Sequence, residues 1–282
     1  MKILWRRKPV ARLAVSGLLL AAAARGHGAD KSGYSLANPV PAELLRDLNS
    51  DRPDVTEGPF TVDAGHAQLE MDFASYAHNR LGGTSTSELS AGDFNLRMGV
   101  RSNFEAGIFI APYMRDTAAT AGEPKETNSG FGDVTLRAKI NFWGNDGGAT
   151  AGGLIVDLTL PTAARGLGSG HAEGTVTLPL AVELGGGWDG GAMTVLDLRP
   201  RAGGGYRAVW INAATVGHDI AGALAGYMEL TSAAGDGGHA ATFDAGLMWK
   251  VNANTQLDAG ANFGLTRNTD DVLVFSGLSR RF

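Results

Sequence analysis

The chain of 282 residues contains no cysteine, so it has no disulfide framework, no zinc–thiolate site and no thiol nucleophile. Charged residues make up only 19%, and the net charge of −5 argues against nucleic-acid binding, which would require a basic face. Beyond the N-terminus no apolar run is long enough for a membrane-spanning helix. These absences exclude helical membrane proteins and leave a β-barrel or a secreted β-sandwich.

The N-terminal residues predict export. Basic residues at positions 2, 6, 7, 8 and 12 precede an apolar stretch at 13–24, which is too short to cross a bilayer as a helix and is typical of a secretory signal peptide. Cleavage after Ala24 or Gly28 satisfies the preference for small residues around the cut, whereas cleavage after Ala29 places the bulky His27 three positions upstream. We therefore assign residues 1–29 to a signal peptide.

Glycine and alternating segments dominate the rest of the chain. The 41 glycines suit tight turns and close packing of strands. From residue 65 to Phe282, about a dozen segments alternate apolar and polar residues; Val134, Leu136 and Ile140 share one face of such a segment, and the polar residues between them share the other. Only a closed barrel exposes the apolar face to lipid while pairing every backbone group. The alternation thus predicts an all-β, transmembrane, antiparallel up-and-down β-barrel over residues 65–282.

The segments predict twelve strands joined by connections of alternating length. The predicted strands are 66–76, 91–101, 104–115, 131–143, 149–161, 172–184, 188–199, 206–217, 222–232, 240–251, 255–266 and 271–282. Tight turns are predicted at 102–103, 145–148, 185–187, 218–220 and 252–254 on the periplasmic side, and external loops at 77–90, 116–130, 162–171, 200–205, 233–239 and 267–270. Aromatic residues at the short-turn strand ends fit an interfacial girdle: Phe104, Phe142, Trp143, Trp188, Trp249 and Phe282.

Residues 30–64 differ from the barrel segments. Four prolines occur at positions 39, 41, 53 and 59, and the leucines at 44, 45 and 48 predict a short helix at 41–48. About thirty residues are too few for a plug domain with its own core. We expect this segment to lie at the periplasmic mouth of the barrel or to thread into its lumen.

Several motifs resemble a known family. The run at 50–70 (SDRPDVTEGPFTVDAGHAQLE) resembles the opening of the outer-membrane proteins grouped as the phenol meta-pathway degradation family, often labelled "transporter", and further matches lie at 130–133, 143–148, 178–183, 217–220 and 256–260. The resemblance covers nearly all of the mature chain. It implies a bacterial outer-membrane channel for small aromatic or other hydrophobic molecules, with no catalytic residues to carry over. At the C-terminus, Gly277 and Phe282 fit the usual barrel-assembly signal, while Arg280 occupies a position where an apolar residue is usual.

Catalytic and metal-binding patterns are sparse. No Gly-x-Ser-x-Gly, His-Glu-x-x-His or Walker motif occurs, so neither an enzyme nor a cofactor is predicted. Ser75 and His78 are close in sequence and leave open the alternative of a barrel lipid hydrolase. The histidines at 78, 171 and 239 lack metal-ligand spacing and are expected at the surface.

The predicted function resides in the lumen. Alternation places ten charged residues there as candidates: Glu70, Asp72, Arg97, Asp133, Arg137, Lys139, Asp157, Glu229, Asp244 and Asp258. Arg97 is expected to pair with Glu70 or Asp72. On the preceding strand no acid is expected opposite Arg137 and Lys139, which would form a basic wall facing an acidic one.

The sequence thus predicts passive uptake of small molecules through a channel, with a closed structural or adhesive barrel as the alternative. The expected partners are outer-membrane lipid, a small-molecule solute and, through the strand ending in Phe282, the barrel assembly machinery; no nucleic acid is expected.

Overall fold

In the computed structural model, the residues described are 30–201, 203–235 and 238–282. The predicted signal peptide at 1–29 lies outside them. The described residues form an all-β structure with these strands: β1 (Ala67–Leu81), β2 (Thr84–Ala91), β3 (Phe94–Arg101), β4 (Phe104–Ile110), β5 (Tyr113–Thr120), β6 (Glu126–Gly130), β7 (Val134–Trp143), β8 (Thr150–Leu160), β9 (Glu173–Gly185), β10 (Trp188–Pro200), β11 (Tyr206–Ala221), β12 (Leu224–Gly235), β13 (Gly238–Asn252), β14 (Thr255–Gly264) and β15 (Val272–Arg281).

The described strands close into a barrel of twelve, because β15 pairs with β1. Three pairs of segments, β2–β3, β4–β5 and β6–β7, are halves of long strands that bend in the middle: β3 pairs with the first half of β1 and β2 with the second half. All neighbours are antiparallel, and apart from the closing pair β15–β1 they are consecutive in the chain. The predicted up-and-down barrel with twelve strands is confirmed.

Three of the predicted external loops are wrong, because their described residues are mostly strand. At 77–90, β1 continues to Leu81, Gly82 and Gly83 turn with positive φ, and β2 starts at Thr84. At 116–130, β5 and β6 form a hairpin. These segments carry Ser and Thr on both faces, so they lack the apolar alternation that marks a strand in lipid. Likewise, most of 233–239 is strand, since β12 continues to Gly235 and β13 starts at Gly238.

Two local predictions near the other end of the barrel are also wrong. The turn predicted at 218–220 is shifted, because β11 continues to Ala221 and His218 stacks on Trp188 with ring centroids 4.1 Å apart. The helix predicted at 41–48 is a single 3-10 turn, Ala42–Leu44, after which Leu45 is extended. Within the described ranges, no helix is long and apolar enough to cross a membrane.

The barrel wall separates an apolar outside from a polar inside. On β7, Leu136 is 44% exposed on the outer face, while Arg137, Lys139 and Asn141 are buried on the inner face. The outer face of β8 and β9 is a continuous apolar surface of exposed Val and Leu side chains. Exposed Phe142, Trp188, Trp249 and Phe282 lie at strand ends next to the tight turns, which define the short-turn end of the barrel. Such a surface suits a hydrocarbon layer bordered by an aromatic girdle.

Candidate functional site in the barrel lumen

Residues 50–60 cross the inside of the barrel and are called the luminal loop. The Asp51 carboxylate accepts hydrogen bonds from Lys139 Nζ of β7 at 2.6 and 2.7 Å, and Arg52 Nη2 donates to Asp258 of β14 at 2.7 Å. The backbone N–H of Thr56 donates to Glu229 of β12 at 2.7 Å. Because β7 and β12 are separated by at least four strands in either direction around the ring, the loop bridges distant parts of the wall.

The residues before and after the luminal loop are fastened at the short-turn end. Arg46 donates to Asp146 at 2.8 Å and to the Ser102 carbonyl at 2.6 Å, and both partners lie in tight turns. Lys31 pairs with Asp63 at 3.1 Å. The segment 30–64 therefore has one part at the short-turn end of the barrel and the other in the lumen.

One side of the lumen is a dense network of ion pairs. Arg97 bonds Glu70 at 2.6 Å and Glu105 at 2.9 Å, so of its two expected partners it takes Glu70. Asp72 pairs instead with Arg52 of the luminal loop at 2.8 Å. Arg97 and Glu105 are among the most buried side chains described, and removing one partner would leave an uncompensated charge.

The expectation that Arg137 and Lys139 lack opposing acids is wrong. Arg137 pairs with Asp157 of β8 at 2.7 Å and with Glu57 of the luminal loop at 2.7 Å, while Lys139 pairs with Asp51. The prediction placed Gly107, Phe109 and Ala111 opposite these bases on the preceding strand, but the register of β4 puts Glu105 opposite Lys139, with 3.9 Å between Nζ and Oε1. The other acids come from the following strand and from a segment about eighty residues away. Burial would raise the pKa of Asp51, but Arg97, Lys139 and Arg137 outweigh it and hold that pKa well below its usual range.

The acidic candidates on the other side are partly occupied by the luminal loop. Glu229 accepts hydrogen bonds from the backbone of Val55 at 2.9 Å and of Thr56, and from the Thr56 hydroxyl. Asp244 lies directly opposite Glu229 on β13. Burial raises the pKa of Asp54 well above its usual range, and the Glu229 carboxylate adds to the shift. Asp133, just before β7, accepts a hydrogen bond from Ala163 at 2.8 Å and so also positions the segment between β8 and β9.

An apolar patch on the lumen wall was not predicted. Met193 and Val195 of β10 cluster with Val209 and Ile211 of β11 and with neighbouring alanines, and Val55 of the luminal loop packs against them. The strands concerned have apolar residues on both faces, so the alternation is weak there. The apolar run at 208–211 and the segment 192–196, in which Thr194 is the one polar residue, are the signal that could have revealed the patch.

Two cavities lie on opposite sides of the luminal loop. One, of about 260 Å³, is lined by Asp189, Gly217 and Lys250 towards the short-turn end. The other, of about 400 Å³, is lined by Asp93, Asn95, Phe109 and Ala111, where the long strands bend. Arg52, Asp54 and Glu57 contribute to the walls of both cavities. The loop thus divides the lumen.

The described residues offer little for catalysis or metal binding. Ser75 and His78 are three positions apart on β1, so their side chains point to opposite faces of the wall. In the parts of the chain that the structure covers, no three His, Asp or Glu side chains converge as a metal site would require.

Comparison with solved structures shows a barrel fold shared with outer-membrane proteins. An outer membrane channel from Pseudomonas putida F1 matches with a TM-score of 0.61 and 14% identity, covering 83% of this chain and 100% of that one. The beta domain of the Bordetella autotransporter BrkA matches with a TM-score of 0.52 and 12% identity, covering 76% and 98%. Comparison with curated proteins gave no match.

The sequence itself carries a family assignment. The profile of the family described as "Putative MetA-pathway of phenol degradation" matches residues 50–282, which comprise the luminal loop and the whole barrel. On this match the chain belongs to that family.

Proposed function

We propose that the protein is an outer-membrane channel for the passive uptake of small molecules, with aromatic or other hydrophobic compounds as its solutes. The observation that carries the proposal is the pair of luminal cavities, one on each side of a loop that is held by side-chain contacts rather than by strand pairing. A loop held in this way can shift without opening the barrel wall. The lumen then becomes a continuous path.

The chemistry of the lumen supports solutes that have both polar and apolar parts. The ion pairs around Arg97 and Arg137 present a polar side, while the patch at Met193, Val195, Val209 and Ile211 presents an apolar one. A solute with an aromatic ring and a polar group can contact both. The outer membrane channel from P. putida shares this fold.

The same proposal gives the protein an orientation and partners. The short-turn end, with residues 30–49 at its mouth, faces the periplasm, and the outer apolar surface contacts membrane lipid. The strand ending in Phe282 is the element that the barrel assembly machinery recognises. Arg280 lies over the Phe282 ring at 5.3 Å, and both residues lie at the interface, where an arginine can reach the lipid headgroups.

Recordings from single refolded molecules in a planar bilayer test the channel. Steady conductance steps, together with swelling of protein-loaded liposomes in small aromatic solutes, are the expected result. The shift in gel mobility on heating shows whether the barrel is folded. A folded protein that never conducts would overturn the proposal.

A closed structural barrel is the second candidate, and the ion pairs of the luminal loop favour it. Asp51, Arg52 and Glu57 each bind an oppositely charged wall residue, so the loop fills the lumen firmly. Recordings without conductance, both in the wild type and in variants that lack the ion pairs of the luminal loop, would support this candidate over the channel.

A further inference from the structure

The barrel wall is irregular next to the larger cavity. The second long strand breaks at Gly92, which has φ +73°, and the facing strand β1 shifts register between Asp72 and Ala74. The Asp72 N–H donates to the Asp93 carbonyl at 2.8 Å across this irregularity. Bulges re-aim side chains out of the strict alternation. Here the break brings Asp93 and Asn95 into the wall of the cavity of about 400 Å³.

Asp93 and Asn95 carry polar atoms that find no partner among the described residues. Asn95 is only 3% exposed, yet neither its Oδ1 nor its Nδ2 makes a hydrogen bond there. Asp93 Oδ2 accepts from Ser90, but its buried Oδ1 accepts nothing from the residues described. Leaving such groups unsatisfied costs free energy, so they are expected to serve a partner that enters the cavity.

The rest of the cavity wall sets the charge and shape of that partner. Seven carboxyl groups and two arginines line it, which favours a cation over an anion. Phe109 and Ile110 add an apolar surface, and the Arg137 guanidinium lies over the Phe109 ring at 4.4 Å, which fixes the ring in place. A volume of about 400 Å³ is within the range of small-ligand pockets.

We propose that the corner formed by Asp93 and Asn95 binds a small organic cation, a primary ammonium group attached to an apolar body of about one ring. The ammonium donates to Asp93 Oδ1 and Asn95 Oδ1, and the apolar body packs on Phe109 and Ile110. Solutes that carry a carboxylate are repelled. This assignment rests on the proposed channel function. It names the class of solute that binds in the cavity while passing through the channel.

Titration calorimetry on the refolded full chain in detergent tests the corner directly, with 2-phenylethylammonium as the probe. The isosteric neutral 2-phenylethanol and the anion 3-phenylpropionate are the comparison compounds. We expect the ammonium compound to bind more tightly than both. Asp93→Asn and Asn95→Leu should each weaken its binding by about tenfold, which is the loss expected for one charge-assisted hydrogen bond.

Asn262→Leu is the matched control, since Asn262 Oδ1 is also buried without a partner in the described part of the chain but lies on β14, outside this cavity. It should leave binding unchanged. If the alcohol binds as tightly as the ammonium compound, or if Asp93→Asn has no effect in a folded protein, the proposed corner is wrong.

Bilayer recordings in the presence of the same probe separate this proposal from the channel function. Conducting pores whose current is reduced by the ammonium compound, and less so in Asp93→Asn, support both. Silent pores that still bind the probe in the calorimeter overturn the channel and leave the binding corner standing. Conducting pores with no heat of binding overturn the corner alone.

Discussion

Asp51 and Asp54 lie three positions apart in the luminal loop, yet their pKa values shift in opposite directions. Burial acts on both, but Asp51 is surrounded by Arg97, Lys139 and Arg137, which lower its pKa. Asp54 has the Glu229 carboxylate as its charged neighbour, so burial and charge both raise its pKa. One carboxyl is therefore ionised in the folded barrel, and the other tends to keep its proton.

The pH dependence of loop docking follows from these shifts. The contribution of Asp51 is present above the ordinary carboxyl pKa of 3.8 and is lost only as pH falls through its lowered value. Asp54 behaves in the opposite way: docking is most favourable while it is protonated and weakens as pH rises from 3.8 through its raised pKa. We therefore expect the conductance to increase as pH rises above 3.8 and through the raised pKa of Asp54.

Asp54→Asn should reduce this increase, because the amide is uncharged at every pH. Glu57 of the same loop, whose pKa burial raises to about 7, accounts for the remainder. A variant that keeps the full pH dependence would show that another group controls the loop. Conductance histograms at matched salt concentration provide the measurement.

At the scale of the strand, the register of β7 decides which side chains meet lipid. Replacing Leu136 by Arg places a charge on the outer face and should lower the free energy of unfolding by about 2–4 kcal/mol. Thr135→Arg should be much milder, because Thr135 faces inward and its hydroxyl lies 2.7 Å from that of Thr159. Urea unfolding in lipid vesicles compares the two variants, and equal losses would contradict the register.

The luminal loop is the second element with a testable role. Changing Arg137 and Lys139 together to Gln removes the partner of Glu57 and leaves Asp51 with Arg97 alone, at 3.3 Å. The loop should therefore loosen, conductance should rise, and the uncovered acids should favour cations. Arg199→Gln is the control, because Arg199 pairs with Asp197 on its own strand at 2.6 Å and, among the described residues, makes no hydrogen bond or ion pair with the luminal loop.

Reversal potentials in a salt gradient report the cation preference. Restoring neutrality with Asp51→Asn and Glu57→Gln in the same protein should cancel the gain in selectivity while the conductance stays high. A double-base variant with wild-type conductance would mean that the loop does not restrict the path.

At the scale of the whole molecule, the two ends of the barrel differ in their connections, and this predicts the orientation in the membrane. A protease site inserted at Gly82–Gly83 or at Glu123 should be cut on intact cells, since both positions are exposed turns at the end opposite the short turns. Sites at Gly186 or Ala253 should be protected until the outer membrane is opened. The reverse pattern of cleavage would invert the proposed orientation.

Much of the fold could be predicted because strand alternation is a local property. Leu136 against Arg137 is enough to assign an inside and an outside, and the pattern repeated along the chain predicts twelve strands. The prediction missed the polar hairpins at 77–90 and 116–130 because strands with Ser and Thr on both faces have no apolar face to mark them. The apolar patch of Val209 and Ile211 was missed for the converse reason, since both faces of that strand are apolar.

The contacts inside the lumen were decided by the tertiary structure alone. By itself the sequence determined the barrel, its inward charges and the family, because each depends on residues near one another in the chain. It could not show that Asp51 and Glu57 neutralise Lys139 and Arg137, about eighty residues away, because only closure of the barrel around the loop brings these charges together. Whether a buried charge is paired or exposed to a solute depends on that closure, and so does the path through the protein.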